Sequence, residues 1–229
     1  ELLEVASVLG AELSSEVLAH ALGWDEPILL EPLHGLHRAS ILVSDRRGQV
    51  RFAQDVWREV TLKAIDPARL PILHQRAALA LESLRPSHHA AIAIHWELAG
   101  RADRGAPAAL LAARAAASVE AVKDAIDHYE RYLRSNPPPS AESIAAREEL
   151  AQRLHRVGRE TEAVPVQEAA LAGAHQLGTE DLIHKATLGL SEVLRRAGDL
   201  ERARSLADDL TERVPAICTT RVKALDAMA

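Results

Sequence analysis

One cysteine, one methionine and six aromatic residues are scarce provision for a chain of 229 residues. The lone Cys218 cannot close an internal disulfide or build a cysteine-ligated metal cluster; it is expected to be a small buried hydrophobe. No apolar run approaches the ~18 residues that a bilayer-spanning helix needs, so a soluble, cytoplasmic protein with no membrane partner is expected. Lysine is rare as well: Lys63, Lys123, Lys185 and Lys223 stand against 23 arginines. Neither end of the chain holds the basic excess that non-specific phosphate binding requires. Residues 1–66 contain 11 Asp/Glu and 6 Lys/Arg, a balance of −5, and the remainder contains 22 and 21. Catalytic signatures are missing too. No Gly-x-x-x-x-Gly-Lys-Ser/Thr loop, Gly-x-Ser-x-Gly elbow or His-Glu-x-x-His pair occurs, so no catalytic residue is assigned and the chain is not expected to be an enzyme. It opens on Glu1 rather than Met and reads as a piece of a longer protein.

What is abundant is alanine and leucine, 43 and 33 residues, the strongest helix formers. With β-branched and aromatic residues few, the expected class is all-α in the main. Leu2, Val5, Ala6 and Leu9 recur at helical spacing and stop at Gly10. Ser14 or Ser15 can cap a second helix carrying Val17, Leu18, Ala21 and Leu22, which Gly23 ends. Asp25 can cap a third, with Leu29, Leu33 and Leu36 on one face and with Pro32 and Gly35 expected to weaken or bend it. Ile41–Val43 and Val50–Phe52 are short β-type runs around Asp45-Arg46-Arg47-Gly48, a plausible hairpin turn. Val56, Val60 and Ala64 then restart a helical period. Three helices, a hairpin and a helix are the order of a winged helix, placed at 1–66, followed by a connecting helix at 67–87.

From residue 88 to 229 every segment reads as helical, and a degenerate repeat emerges. Leu154…Gly158…Ala163 and Leu194…Gly198…Ala203 share Leu-x-x-x-Gly-x-x-x-x-Ala, and Ala125, Tyr129, Tyr132 and Pro137 occupy matching second-helix positions. This predicts a tetratricopeptide-like superhelix of α-hairpins, with Pro165 interrupting one helix and Ala216–Ala229 starting another unit. In such hairpins the first helices line a groove. The register from Ala125, Ala163 and Ala203 places Arg114, Glu148, Gln152, His155, Arg156, Lys185, Glu192 and Arg195 there, a mixed-charge face suited to a peptide, protein or small-molecule inducer.

Eleven histidines raise the question of a metal. His34 and His37 share a helix face and His88 and His89 are adjacent, but neither pair has a carboxylate or Cys at ligand spacing, so no metal site is assigned. DNA reading is disfavoured because Asp25, Glu26 and Glu31 outweigh Arg38 on the helix that would enter the groove, leaving Arg46, Arg47 and Arg51 of the wing as its basic residues.

The run Arg51-Phe52-Ala53-Gln54-Asp55-Val56-Trp57-Arg58-Glu59-Val60, followed by Pro67-Ala68-Arg69 and Leu73-His74, resembles a segment of the STAND-class signalling ATPases and large LuxR-type transcriptional regulators of bacteria. There it usually reads Arg-Phe-x-His-Asp-Leu-Val-Arg-Glu. The opening Val5-Ala6-x-x-Leu9-Gly10-x-x-Leu13 fits the start of the same winged helix. The resemblance implies an upstream nucleotide-binding domain of the same chain that packs on the winged helix and holds ATP or ADP. It implies inducer-sensing repeats, and DNA contact only through a separate output domain, which in some relatives is a kinase or cyclase instead. The family's nucleotide-proximal His falls on Gln54, which can donate a hydrogen bond but cannot take a charge; Arg58 matches the pattern. Gln54 and Arg58 are thus the implied cofactor-proximal residues. A free-standing tetratricopeptide scaffold is the alternative reading, and a DNA-binding winged helix with a dimerising repeat arm the third.

Overall fold

The computed structural model describes residues 1–10, 13–45 and 49–213. The expected wing-tip residues Arg46, Arg47 and Gly48, and the expectations for Cys218 and 216–229, lie outside the described residues. The protein is mainly helical with one small antiparallel sheet. By its internal contacts it forms two compact units, Glu1–Leu111 and Ala112–Ala229.

The first unit begins with α1 (Leu2–Leu9), α2 (Ser15–Leu22) and α3 (Glu26–Arg38). Ser14 caps α2 by accepting a hydrogen bond from the Val17 amide at 3.2 Å. Pro32 does not break α3, nor does Gly35. Pro32 stands on the exposed side, where the carbonyl deprived of its i+4 donor can turn to water, while Leu29 and Leu33 bury the opposite side. Two strands follow, β1 (Leu42–Ser44) and β2 (Val50–Phe52), paired antiparallel with Leu42 opposite Phe52. Leu42, Val50 and Phe52 face the core, and the Val50 amide donates to the Leu13 carbonyl at 3.1 Å, tying the hairpin to the segment before α2.

Helix α4 (Asp55–Ala64) forms where the helical period restarts. Val56, Val60 and Ala64 do form a helical stripe, but none of the ten side chains is buried; Val56 and Val60 are 51% and 54% exposed and Trp57 is 42% exposed. The helix is held by Leu62, which packs against the core of the unit, and by Arg58. Its Nε donates to the Ser7 carbonyl at 2.9 Å, satisfying one of the last-turn carbonyls of α1 that have no intrahelical donor.

Helices α5 (Leu70–Leu84) and α6 (His89–Leu98) follow. Leu73, Ala77, Ala80 and Leu81 of α5, and Ile92 and Trp96 of α6, share one continuous core with α1–α3 and the hairpin. Small alanines on α5 allow this close packing. Trp96 is fully buried; its indole N–H donates to Glu82 at 2.6 Å, and the Arg104 guanidinium lies 4.0 Å from its ring.

The division between the units falls inside α7 (Ala102–Ser118). The second unit then runs α8 (Val122–Arg134), α9 (Ala141–Arg156), α10 (Glu160–Leu177), α11 (Glu180–Ala197) and α12 (Leu200–Arg213). Consecutive helices from α8 to α12 pack on one another, and α9 also touches α11. Gly158 and Gly198 occupy the α9–α10 and α11–α12 turns, and Ala125, Ala163 and Ala203 are buried where close helix approach needs small side chains. Contrary to the expected interruption, α10 passes through Pro165, which lies on its exposed side. Two glutamates five residues beyond Ala125 and Ala163 link alternate helices. Glu130 accepts from Arg159 at 3.5 Å and Glu168 from Arg202 at 2.6 Å.

Candidate functional site

The second unit owes its cavity to the way α9 and α11 stand beside each other against α10. Ser140 starts α9 with a reciprocal cap. Its hydroxyl accepts from the Ser143 amide at 3.1 Å, while its own amide donates to the Ser143 hydroxyl at 3.0 Å. The apolar side of α9, with Ile144, Leu150, Ala151 and Leu154 buried, faces the interior of the unit. On α11, Ala186, Leu190 and Leu194 do the same. The polar shoulders of both helices are thereby turned toward each other, and Gln167 of α10 closes the space between them.

The result is a cavity of about 490 Å³, lined by side chains of all three helices. Glu148, Gln152 and His155 come from α9, Gln167 from α10, and Lys185, Glu192 and Arg196 from α11, with Ala151, Leu188, Gly189 and Val193 supplying apolar wall. Gln167 is only 2% exposed, and its amide donates to the Ala186 carbonyl at 3.3 Å. A side chain at Gly189 would collide with that amide, so glycine there leaves room for Gln167 in this conformation. Lys185 pairs with Glu148 at 2.7 Å, Arg196 pairs with Glu192, and His155 Nδ1 lies 3.2 Å from Glu160. Its charge is balanced, its walls are part apolar, and its size is that of a small-ligand or side-chain pocket.

Five of the eight groove residues expected from the repeat register converge here: Glu148, Gln152, His155, Lys185 and Glu192. Three do not line it. Arg114 on α7 reaches Glu142 and Glu149, each at 3.5 Å, within a separate polar cluster around Tyr129. The Tyr129 hydroxyl donates to Glu149, and burial, followed by that bond, pushes its pKa well above the ordinary tyrosine range. Arg156 pairs with Glu120. Arg195 contacts Glu192 at 3.3 Å without lining the cavity, whereas its neighbour Arg196 does line it. Arg195 and Arg196 stand at i+3 and i+4 from Glu192, so helical spacing signalled both and could not choose between them. Gln167 and Gly189 carried no such signal, because their importance comes from a contact between two helices.

In the first unit Gln54 is exposed at the start of α4, and Arg58 lies one turn further along. The Arg58 guanidinium is engaged with α1 and packs against Gly10. His34 and His37 stand on the outer side of α3, with His37 Nε2 2.9 Å from the Ser44 hydroxyl. His88 is the N-cap of α6 and His89 its first residue. Among the described residues no three His, Cys, Asp or Glu side chains gather where they could hold a metal ion. No described helix is long and apolar enough to cross a membrane.

No family model and no curated protein matches the chain. A crystal structure of BtubC (BKLC) from P. vanneervenii is similar with a TM-score of 0.40 and 17% identity, over 75% of this chain and 81% of that one. A likeness of that degree carries no functional argument.

Proposed function

We propose that the chain is a sensing and coupling arm of a larger signalling protein. Tetratricopeptide-like hairpins in the second unit take a partner or inducer, and a winged helix in the first unit couples that event to a nucleotide-binding domain. The observation that carries the reading is the convergence of Glu148, Gln152, His155, Lys185 and Glu192 on one cavity between α9 and α11. The coupling half is supported by α4, whose Val56, Trp57 and Val60 are presented to solvent on the segment that resembles the STAND-class motif. A helix that buries no side chain in its own unit is suited to packing against another body. ATP or ADP would be held mainly by that other domain, with Gln54 and Arg58 nearest to it.

Coupling requires that the partner bind the resting and active arrangements with different affinity. The test is hydrogen exchange of the parent protein, with its nucleotide-binding domain, in ADP and in ATP. Amides of α4 are expected to be protected in one nucleotide state and released in the other. Equal exchange in both states would remove the coupling role and leave a free-standing interaction scaffold, which keeps the cavity and needs no ATPase. The DNA-binding reading gains little from α3, where Glu26 and Glu31 stand exposed beside Ile28 and Leu30. A gel-shift comparison of the protein with its Arg46→Ala/Arg47→Ala variant tests that reading.

A further inference from the structure

The charges around the α9–α11 cavity are balanced in number but not in depth. The Glu148 side chain is 11% exposed and that of Glu192 25%, whereas their cations, Lys185 and Arg196, are 66% and 39% exposed. A charge withdrawn from water acts through a lower effective dielectric than one that water screens, so Glu148 dominates the field at its end of the cavity, whereas Glu192 is held by Arg195 as well as Arg196. Lys185 holds Glu148 through a single contact at 2.7 Å. Its long side chain is otherwise in solvent, so it loses little when another cation takes its place. An ionised carboxylate accepts at both oxygens and can receive a forked donor that lysine does not offer.

We propose that this cavity binds a cationic group on a short aliphatic stem, a guanidinium or ammonium that displaces Lys185 from Glu148. The cation reaches the Glu148 carboxylate, and its stem lies along Ala151, Leu188 and Val193. Lys185 is then a built-in competitor, occupying the site until a better-fitting cation arrives. Arginine suits the position best, since its planar fork matches a carboxylate and is more weakly hydrated than an ammonium. This inference rests on the reading of the second unit as a binding module, and it names the chemistry that the module selects.

The same cation can come from a basic residue of a partner polypeptide or from a free small amine. The probes are therefore the blocked tripeptides Ac-Ala-Arg-Ala-NH2, Ac-Ala-citrulline-Ala-NH2 and Ac-Ala-Glu-Ala-NH2, together with free agmatine, titrated into the full 229-residue chain. Amide chemical shifts of α9 and α11 report the cavity. The arginine peptide is expected to shift them and to bind at least about tenfold more tightly than its neutral citrulline counterpart. Glu148→Gln is expected to abolish the preference for arginine over citrulline. Lys185→Ala is expected to strengthen arginine binding severalfold, an outcome that loss of a merely structural ion pair would not produce. Lys185 is well exposed, so that variant tests the idea even if Glu148→Gln unfolds; circular dichroism checks both. Tighter binding of agmatine than of the arginine peptide assigns the site to a free amine, and the reverse order assigns it to a partner chain; either supports the cation site. Preference for the glutamate peptide, or weaker arginine binding by Lys185→Ala, overturns the cation proposal while leaving a binding module. If none of the probes shifts the cavity amides, the cation proposal fails. If the parent protein's ADP and ATP states then also show equal exchange in α9 and α11, the sensing role falls with it.

Discussion

The Nδ1 atoms of His74 and His95 lie 2.9 Å apart between α5 and α6, so one imidazole donates and the other accepts. Two protonated rings cannot share that bond, because each would bring only donors. Burial, and then the neighbouring His74, hold the His95 pKa down at about 4 from an ordinary 6.5, and burial lowers His74 in the same direction.

Folding stability should accordingly fall on acidification. A histidine whose pKa is depressed by folding binds its proton more readily in the unfolded chain. Its contribution is thus fully present above the unfolded value of 6.5 and lost as the pH falls from there toward about 4. At about 1.4 kcal/mol per unit the loss across that window reaches ~3 kcal/mol. Trp24, Trp57 and Trp96 all belong to the first unit, so tryptophan fluorescence during urea unfolding reports that unit alone. The midpoint should drop steadily between pH 7 and pH 4.5, and His95→Phe should flatten the profile. A flat profile in the unsubstituted protein would contradict the buried pair.

Replacing Gly105 by alanine should destabilise the first unit although alanine is the better helix former. A Cβ at 105 would stand 2.8 Å from the Trp96 Cβ and 3.1 Å from the Ala93 carbonyl oxygen. Both are anchored close to the α6 backbone, so α6 and α7 must move apart. Overpacking of this kind costs about 1–3 kcal/mol, while the gain in helix propensity is about 1 kcal/mol. The net expectation is a lower thermal midpoint by tryptophan fluorescence; an unchanged or higher midpoint would show that the two helices yield freely.

Those two contacts mark where sequence reasoning stops. Helix starts and stops are encoded within a few residues, so Ser14, Gly23 and the hairpin strands were legible in order and nearly in register. Pro165 was overweighted as a breaker because the sequence does not reveal which side of a helix faces water. The Val56–Val60–Ala64 stripe was rightly read as helical, but its exposure was not legible, for the same reason. Periodicity announces an apolar side, yet whether anything covers it depends on the rest of the fold. In the candidate site, helical register brought five residues to one cavity, whereas Gln167, Gly189 and the preference for Arg196 over Arg195 depend on how α10 and α11 meet. The pairs His74–His95 and Tyr129–Glu149 are 21 and 20 residues apart in sequence and leave no local trace.

Arg58 and Gly10 form a second coupled position. Gly10 has φ +58°, and a Cβ there would lie 3.0 Å from the Arg58 guanidinium that serves the Ser7 carbonyl. Gly10→Ala therefore combines left-handed backbone strain of about 1–2 kcal/mol with pressure on that bond. Arg58→Lys retains the charge near the end of α1 but loses the Nε donor, and should cost about 1 kcal/mol. In the double variant the two losses should fall short of their sum, since part of the Gly10→Ala effect acts on a guanidinium already removed. Urea unfolding of the four proteins measures this, and strict additivity would show that the two residues act independently.

The Tyr129–Glu149 bond can be weighed in the same way, with a different expectation for each single variant. Tyr129 is 1% exposed, so Tyr129→Phe keeps the ring packing and removes only the hydroxyl. Glu149 then loses its neutral donor but retains Arg114, whose Nε lies 3.5 Å away. The loss should be about 1.5–3 kcal/mol, the range for a hydrogen bond to a charged group. Glu149→Leu instead leaves the tyrosine hydroxyl without its acceptor and Arg114 without one of its two carboxylates, and should cost at least as much. Once Glu149 is gone, removing the tyrosine hydroxyl deprives nothing of a bond, so the double variant should be no less stable than Glu149→Leu alone. All three tryptophans lie in the first unit, so unfolding of the second is followed by far-ultraviolet circular dichroism. A coupling energy below about 0.5 kcal/mol would mean that solvent replaces the missing partner without cost, and that the cluster does not fix the packing of α8 on α9.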